Sequence, residues 1–255
     1  MIATPVIILF CLLNIRKPAI MTITMPTTTR QIVLASRPHG APTPENFRLE
    51  TVELPELGED QVLVRNTCIS VDLYMRGRMN DTKSYVPPFQ IDTAMDGGAL
   101  GEVIASRADS FDVGTQVRHG LGWREHAVVA ADQLTTIDTA AAPASAYLGI
   151  LGMPGLTAYV ELTAVGQMRA ADTVYVSGAS GAVGQLVGQL AKALGAKRVV
   201  GSAGSAQKLQ RLRELGYDDA FNYKQTAVRD GLGNAPQASI ELLDGANTGK
   251  MLMRL

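Results

Sequence analysis

The stretch Val174-Tyr175-Val176-Ser177-Gly178-Ala179-Ser180-Gly181-Ala182-Val183-Gly184 carries an apolar strand straight into a glycine turn. Thr173 to Ser177 alternates and branches like a strand, and beyond the turn Val183, Leu186, Val187, Leu190, Ala191 and Leu194 recur at helical spacing. Gly195 supplies a left-handed cap position, and Arg198 to Gly201 reads as a second strand, closing a βαβ unit of about 30 residues. A helix N-terminus in such a unit offers free N–H groups and a partial positive charge, and a turn of small residues lets a pyrophosphate reach them. The usual G-x-G-x-x-G register falls here on Ala179, Gly181 and Gly184. An ordinary tight βα turn is the competing reading; the succession of strand, turn and helix favours the dinucleotide site.

The type of dinucleotide follows from what comes next. An NAD site places Asp or Glu about 20 residues after the glycines to hold the ribose hydroxyls. Val199 to Ser205 contains no acid. Ser205 reads as the N-cap of a helix that runs to Leu215 and is closed by Gly216, yet the third helical position holds Lys208 instead of the Glu of a capping box. A cation there opposes the helix dipole, which makes sense if the 2′-phosphate of NADP lies beside it. A solvated surface lysine is the alternative.

Composition bounds the rest. A chain of 255 residues with 46% hydrophobic and 18% charged residues is globular, with mass for one or two domains. A net charge of −1 gives no reason to expect nucleic acid or an anionic membrane as partner. Cys11 and Cys68 with His39, His119 and His126 allow no zinc cluster, so no metal site is expected, and so few cysteines suggest a reduced, cytoplasmic protein. Ile2 to Leu13 is apolar but too short to span a bilayer, and its basic residues, Arg16 and Lys17, follow it where a signal peptide's would precede it. The favoured reading is an extension over residues 1–25, with a membrane-associated N-terminus as the lesser one.

Between Arg30 and Ala130 the sequence predicts strands at Gln31 to Ala35, Phe47 to Leu54, Gln61 to Ser70, Ala99 to Ser106 and Trp123 to Ala130, separated by Pro and Gly clusters. From Ala140 to Leu162 an alanine-rich and apolar segment, broken by Gly152-Met153-Pro154-Gly155, bridges this β region to the dinucleotide unit.

A β domain placed before a Rossmann unit resembles the medium-chain dehydrogenase/reductase superfamily. Ser70-Val71-Asp72-Leu73-Tyr74-Met75-Arg76-Gly77-Arg78-Met79, Ser84 to Phe89, Gly152 to Tyr159 and Phe221-Asn222-Tyr223-Lys224 are similar to blocks of its zinc-independent branch of enone and alkenal double-bond reductases, which includes prostaglandin reductases, leukotriene B4 dehydrogenases and curcumin reductases. The resemblance implies an α/β plus β fold: a GroES-like β-rich domain over residues 26–145, completed by 230–255, and a Rossmann domain over 146–229. Gly231 to Leu255 resembles the family's extreme C-terminus but follows Lys224 after only a few residues. About three βα units, on the order of 80 residues, are expected between those blocks. The Rossmann domain is therefore read as truncated by an internal deletion, with the join in Gln225 to Asp230. Such a loss turns the first strand, normally central, into a sheet edge and removes the family's dimer contact.

By resemblance, Gly181, Ala182, Val183 and Gly184 hold the pyrophosphate, Lys208 and Tyr223 the 2′-phosphate, and Met153, Thr157 and Asn247 contact the cofactor, Asn247 near its nicotinamide end. Tyr74 and Tyr85 line the substrate pocket and present phenolic donors to the substrate carbonyl, although Leu73 stands where the family has proline. The implied reaction is NADPH-dependent reduction of the C=C bond of an α,β-unsaturated ketone or aldehyde. The alternatives are a non-catalytic NADP-binding remnant and a quinone reductase. A short-chain dehydrogenase would need Tyr-x-x-x-Lys, which is absent, and Gly245 to Lys250 is one residue short of a P-loop, with Met251 in place of Ser or Thr.

Overall fold

The computed structural model describes residues 25–224 together with 228–230 and 252–254. Asn247, Cys11, the apolar stretch Ile2 to Leu13 and most of the C-terminal block lie outside the described residues.

The β-rich part begins with an antiparallel hairpin, β1 (Thr28–Leu34) with β2 (Phe47–Glu53). A five-stranded antiparallel sheet follows, built from β3 (Gln61–Ile69), β4 (Ala99–Ser106), β5 (Gln116–His119), β6 (His126–Ala130) and β7 (Thr135–Thr136) in the order β6-β3-β4-β5-β7. Alternation explains the core: Val62, Val64, Val103, Val117, Ala127 and Val129 point to one face and are buried together. A second cluster gathers Leu34, Met79, Phe89 and Met95 around the short helix α1 (Tyr74–Arg78), with Phe47 and Trp123 packed against it. The Phe47 and Trp123 rings stack at 6.2 Å.

Four expected strands lie within a few residues of their observed bounds; the fifth is shorter. Trp123 has φ +57°, in the left-handed region, so extended backbone resumes only at His126. Two strands, β5 and β7, had no counterpart in the sequence reading. The segment Gly152 to Gly155 is a helix start, where a break was expected. Gly152 is the N-cap of α2 (Met153–Val160), and Pro154 occupies the first turn, where a missing N–H costs nothing. Gly155 is required there: a Cβ would lie 1.8 Å from the Ile150 carbonyl oxygen.

The second layer holds three parallel strands, β8 (Thr173–Val176), β9 (Arg198–Ala203) and β10 (Asp219–Asn222), in the order β10-β9-β8. Helices α3 (Ala182–Ala193) and α4 (Ala206–Glu214) connect them. Val176, Ala191, Val199, Ala203, Leu212 and Tyr217 form the common core, and α2 packs on α3. Among the described residues β8 is an edge strand. On the sheet face away from that core, Tyr175 stacks on Phe221 with ring centroids 6.1 Å apart and meets the Ser202 hydroxyl at 2.9 Å. The short strands β11 (Val228–Asp230) and β12 (Leu252–Arg254) pair with each other in parallel. No helix among the described residues is long and apolar enough to cross a membrane.

Gly155→Ala is expected to lower stability by about 1–3 kcal/mol, the usual cost of forcing an atom into filled space, as read by urea unfolding of the full chain. An unchanged midpoint would show that the α2 start tolerates a Cβ.

Candidate cofactor and substrate site

The glycine turn is fixed by contacts that only small residues permit. Gly178 has φ +60°, the Gly181 amide donates to the Gly178 carbonyl at 2.9 Å, and Gly181 is the extended N-cap of α3. The Ala179 amide donates to the Ser202 carbonyl at 2.9 Å, anchoring the turn to β9, and Ala179 is fully buried. A Cβ on Gly184 would lie 2.7 Å from the Ala179 Cα, so the helix could not sit this close to the turn with any other residue. Gly181 and Ala182 are exposed and Val183 half-buried, leaving the start of α3 open to an anion.

The second anion position forms around the β9–α4 connection. Ser205 caps α4, its hydroxyl accepting from the Lys208 amide at 3.4 Å. The Lys208 ammonium has no carboxylate partner among the described residues. Tyr223 approaches from the end of β10: a Cβ on Gly204 would lie 2.8 Å from its hydroxyl oxygen. Lys208 and Tyr223 thus bracket a loop that has no acid at 202–205. A cavity of about 430 Å³ opens between α3 and α4, lined by Ser180, Gln185, Gln207, Lys208 and Arg211 among others. Arg211 is paired with Glu214 at 3.3 Å on the same wall, so Lys208 and the two helix N-termini are what this cavity offers a phosphorylated dinucleotide.

A separate cavity of about 290 Å³ lies where the β-rich part meets α2, lined by Ser70, Asp72, Gly98, His119, Tyr147 and Met153 among others. Met153 is half exposed there and Thr157 stands one turn further along α2. The Ser70 hydroxyl donates to Asp72 at 2.7 Å, and the Tyr147 hydroxyl to the Asp138 carbonyl at 2.8 Å. Tyr74 and Tyr85 are not among the residues lining this cavity. Tyr74 begins α1 and packs against the Met75 to Met95 cluster, where burial first and the Asp72 charge second raise its phenol above the ordinary value. Tyr85 is almost fully exposed.

His119, Ser70 and Asp72 were not picked out as site residues from the sequence. His119 sits at the end of β5, a strand hidden by its polar alternate residues Gln116 and Arg118. The Leu121 amide donates to His119 Nδ1 at 3.1 Å, so the proton lies on Nε2, which donates to Asn66 Oδ1 at 2.8 Å. Asn66 in turn donates to the Leu121 and Arg124 carbonyls. A register shift between Asn66 and Cys68 places Asn66 at a bulge, which aims its side chain across the sheet. Burial, and then the nearby Arg124, lower the His119 pKa to about 4. Among the described residues no three His, Cys, Asp or Glu side chains gather as a metal site.

Both halves of this architecture match known families. Residues 30–137 match the N-terminal domain of oxidoreductase and residues 182–246 the zinc-binding dehydrogenase family, and the fold is that of the medium-chain dehydrogenase/reductases. It is similar to the NADPH-dependent curcumin reductase of Escherichia coli, 42% identical over 84% of this chain and 62% of that protein. The NADP(+)-dependent 2-alkenal reductase of Nicotiana tabacum is 40% identical over 78% of this chain and 59% of that protein. CurA of Vibrio vulnificus in complex with NADPH superposes with a TM-score of 0.74 at 40% identity, over 86% of this chain and 62% of that one. The chain therefore spans about three fifths of the length of these relatives.

His119 gives a pH test. Its proton is bound more weakly in the folded chain than at the ordinary value of 6.5, so the unfolded chain takes up more protons below that value. Its contribution is full above pH 6.5 and is lost as pH falls towards 4, on the order of 3 kcal/mol at 1.36 kcal/mol per pKa unit. Urea unfolding across pH 7 to 4 should show a shallower decline for His119→Gln than for the wild type. Parallel declines would remove His119 from the account.

Proposed function

We propose that the chain binds NADP(H) and reduces the C=C bond of α,β-unsaturated ketones or aldehydes without a metal. The observation that carries the cofactor reading is the acid-free loop at 202–205 set between Lys208 and Tyr223, beside a glycine turn open at the start of α3. The similarity to a curcumin reductase and a 2-alkenal reductase supports the substrate class. Gly181, Ala182, Val183 and Gly184 hold the pyrophosphate through the free amides of the first turn. Lys208 and Tyr223 take the 2′-phosphate, and Met153 and Thr157 on α2 lie along the cofactor toward the substrate. Asn247 is assigned to the nicotinamide end.

When bound, NADPH supplies a hydride to the β-carbon of the enone, and negative charge collects on the substrate carbonyl oxygen. The protein's part is a donor at that oxygen. The half-buried Tyr74 and the exposed Tyr85 are the proposed donors; loss of one such donor typically costs about 10²- to 10³-fold in rate. Small-molecule enones and enals are the proposed partners, and the sparse cysteine content supports a cytoplasmic location.

The edge position of β8, together with the share of the relatives that the chain spans, favours a second reading. An internal deletion after about Lys224 has removed the sheet half that would support the nicotinamide, leaving an NADP-binding remnant with little turnover. One experiment tests the cofactor assignment that both readings share, and a second separates the readings. NADPH should bind more tightly than NADH, and Lys208→Ala should reduce that preference about tenfold, the loss expected for a charge-assisted contact; equal affinity for both cofactors in the wild type would refute the 2′-phosphate assignment. NADPH oxidation with a medium-chain enone should be far slower than in a chain given the missing segment from the E. coli relative, and comparable turnover would refute the deletion argument.

A further inference from the structure

Tyr217 is placed where it can control the glycine turn, although it lies 33 residues beyond Gly184. It follows Gly216, whose φ of +86° turns the chain sharply at the end of α4, and its amide donates back to the Leu212 carbonyl at 3.1 Å. The ring then runs under α3 into a slot made by two missing side chains. A Cβ on Gly188 would lie 2.1 Å from the ring, and one on Gly201 2.8 Å from it. At the end of the slot the hydroxyl donates to the Gly184 carbonyl at 2.5 Å, in a fully buried contact.

That carbonyl belongs to the first turn of α3, whose free amides face the open side of the site. Gly184 is confined from two sides: the Ala179 backbone fills the place where its Cβ would stand, and Tyr217 holds its carbonyl. The Gly188 backbone amide acts on the same phenol oxygen from the next turn of α3, so the hydroxyl is held by two points of the helix. Burial pushes the phenol up to about 12, so the hydroxyl carries its proton at any working pH.

Resting on the NADP reading above, we propose that Tyr217 is a positioning residue for the pyrophosphate turn: by holding the Gly184 carbonyl it fixes the first turn of α3 against β9 in the orientation its amides need to meet a diphosphate. The side chain touches neither substrate nor cofactor.

Tyr217→Phe removes the hydroxyl and keeps the ring that fills the slot. The full-length chain and this variant are titrated calorimetrically with NADP+ and with adenosine 2′-monophosphate, which carries the 2′-phosphate and no pyrophosphate. The variant should bind NADP+ about two- to tenfold more weakly, the span of one neutral hydrogen bond, while its affinity for adenosine 2′-monophosphate stays within about twofold. Equal weakening for both ligands would mean general loosening of the domain and would overturn the proposal. So would unchanged affinity for both. If the wild type itself fails to bind NADP+, the NADP reading falls and this one with it; if the wild type binds and only the variant's expected loss is missing, this proposal alone falls.

Discussion

The closeness of α3 to β9 is the constraint on which the nucleotide-binding half depends. Backbone and ring atoms fill the places where side chains would stand on Gly184, Gly188 and Gly201, and Ala179 is fully buried beside them. The helix start is therefore held at a fixed height above the strand ends, with the Ala179–Ser202 bond and the Tyr217 phenol as its two ties. Everything proposed for the cofactor follows from that placement. The amides face outward because the turn is tight, and Lys208 and Tyr223 lie near one loop because β9 ends beside it.

The β-rich half is organised differently. Its sheet has an ordinary alternating core, but the corner that faces α2 is built from hydrogen bonds spanning long stretches of chain. Asn66 and His119 join β3 to the end of β5, Asn66 also holds the 121–124 loop, and Arg124 pairs with Asp96 at 2.9 Å. Polar links of this kind, anchored on the buried His119, favour one arrangement, since the imidazole loses its partners if the loop shifts. The cavity at Ser70, Asp72 and Met153 takes its shape from this corner.

Much of the architecture was legible in the sequence, and the limits have physical causes. The βαβ unit could be read because strand alternation, helical spacing and the caps at Gly195, Ser205 and Gly216 agree, and Gly195 and Gly216 have the positive φ expected of them. The strands β5 and β7 were missed because they are short and carry Gln116, Arg118, Thr135 and Thr136, so that their pairing comes from neighbours. Gly152 to Gly155 looked like a break because glycine and proline weaken helices in general, whereas here proline sits in the first turn and glycine meets a carbonyl. The turn and Lys208 could be found from local sequence. The Asn66–His119 link, across 53 residues, and the Tyr217–Gly184 link, across 33, could not, because each depends on which strands become neighbours.

The stacked pair Phe47 and Trp123 has a practical consequence. Trp123 is the chain's single tryptophan, and it is packed in the β-rich part against the cluster around Met95. Its emission is therefore a domain-selective reporter, recording the loss of that cluster and blind to events confined to β8, β9 and β10. The nucleotide-binding half carries tyrosines, at positions 147, 159, 175, 217 and 223, and no indole. Tryptophan emission therefore follows the melting of the β-rich half alone, to be set beside a signal such as far-ultraviolet dichroism that reports both halves.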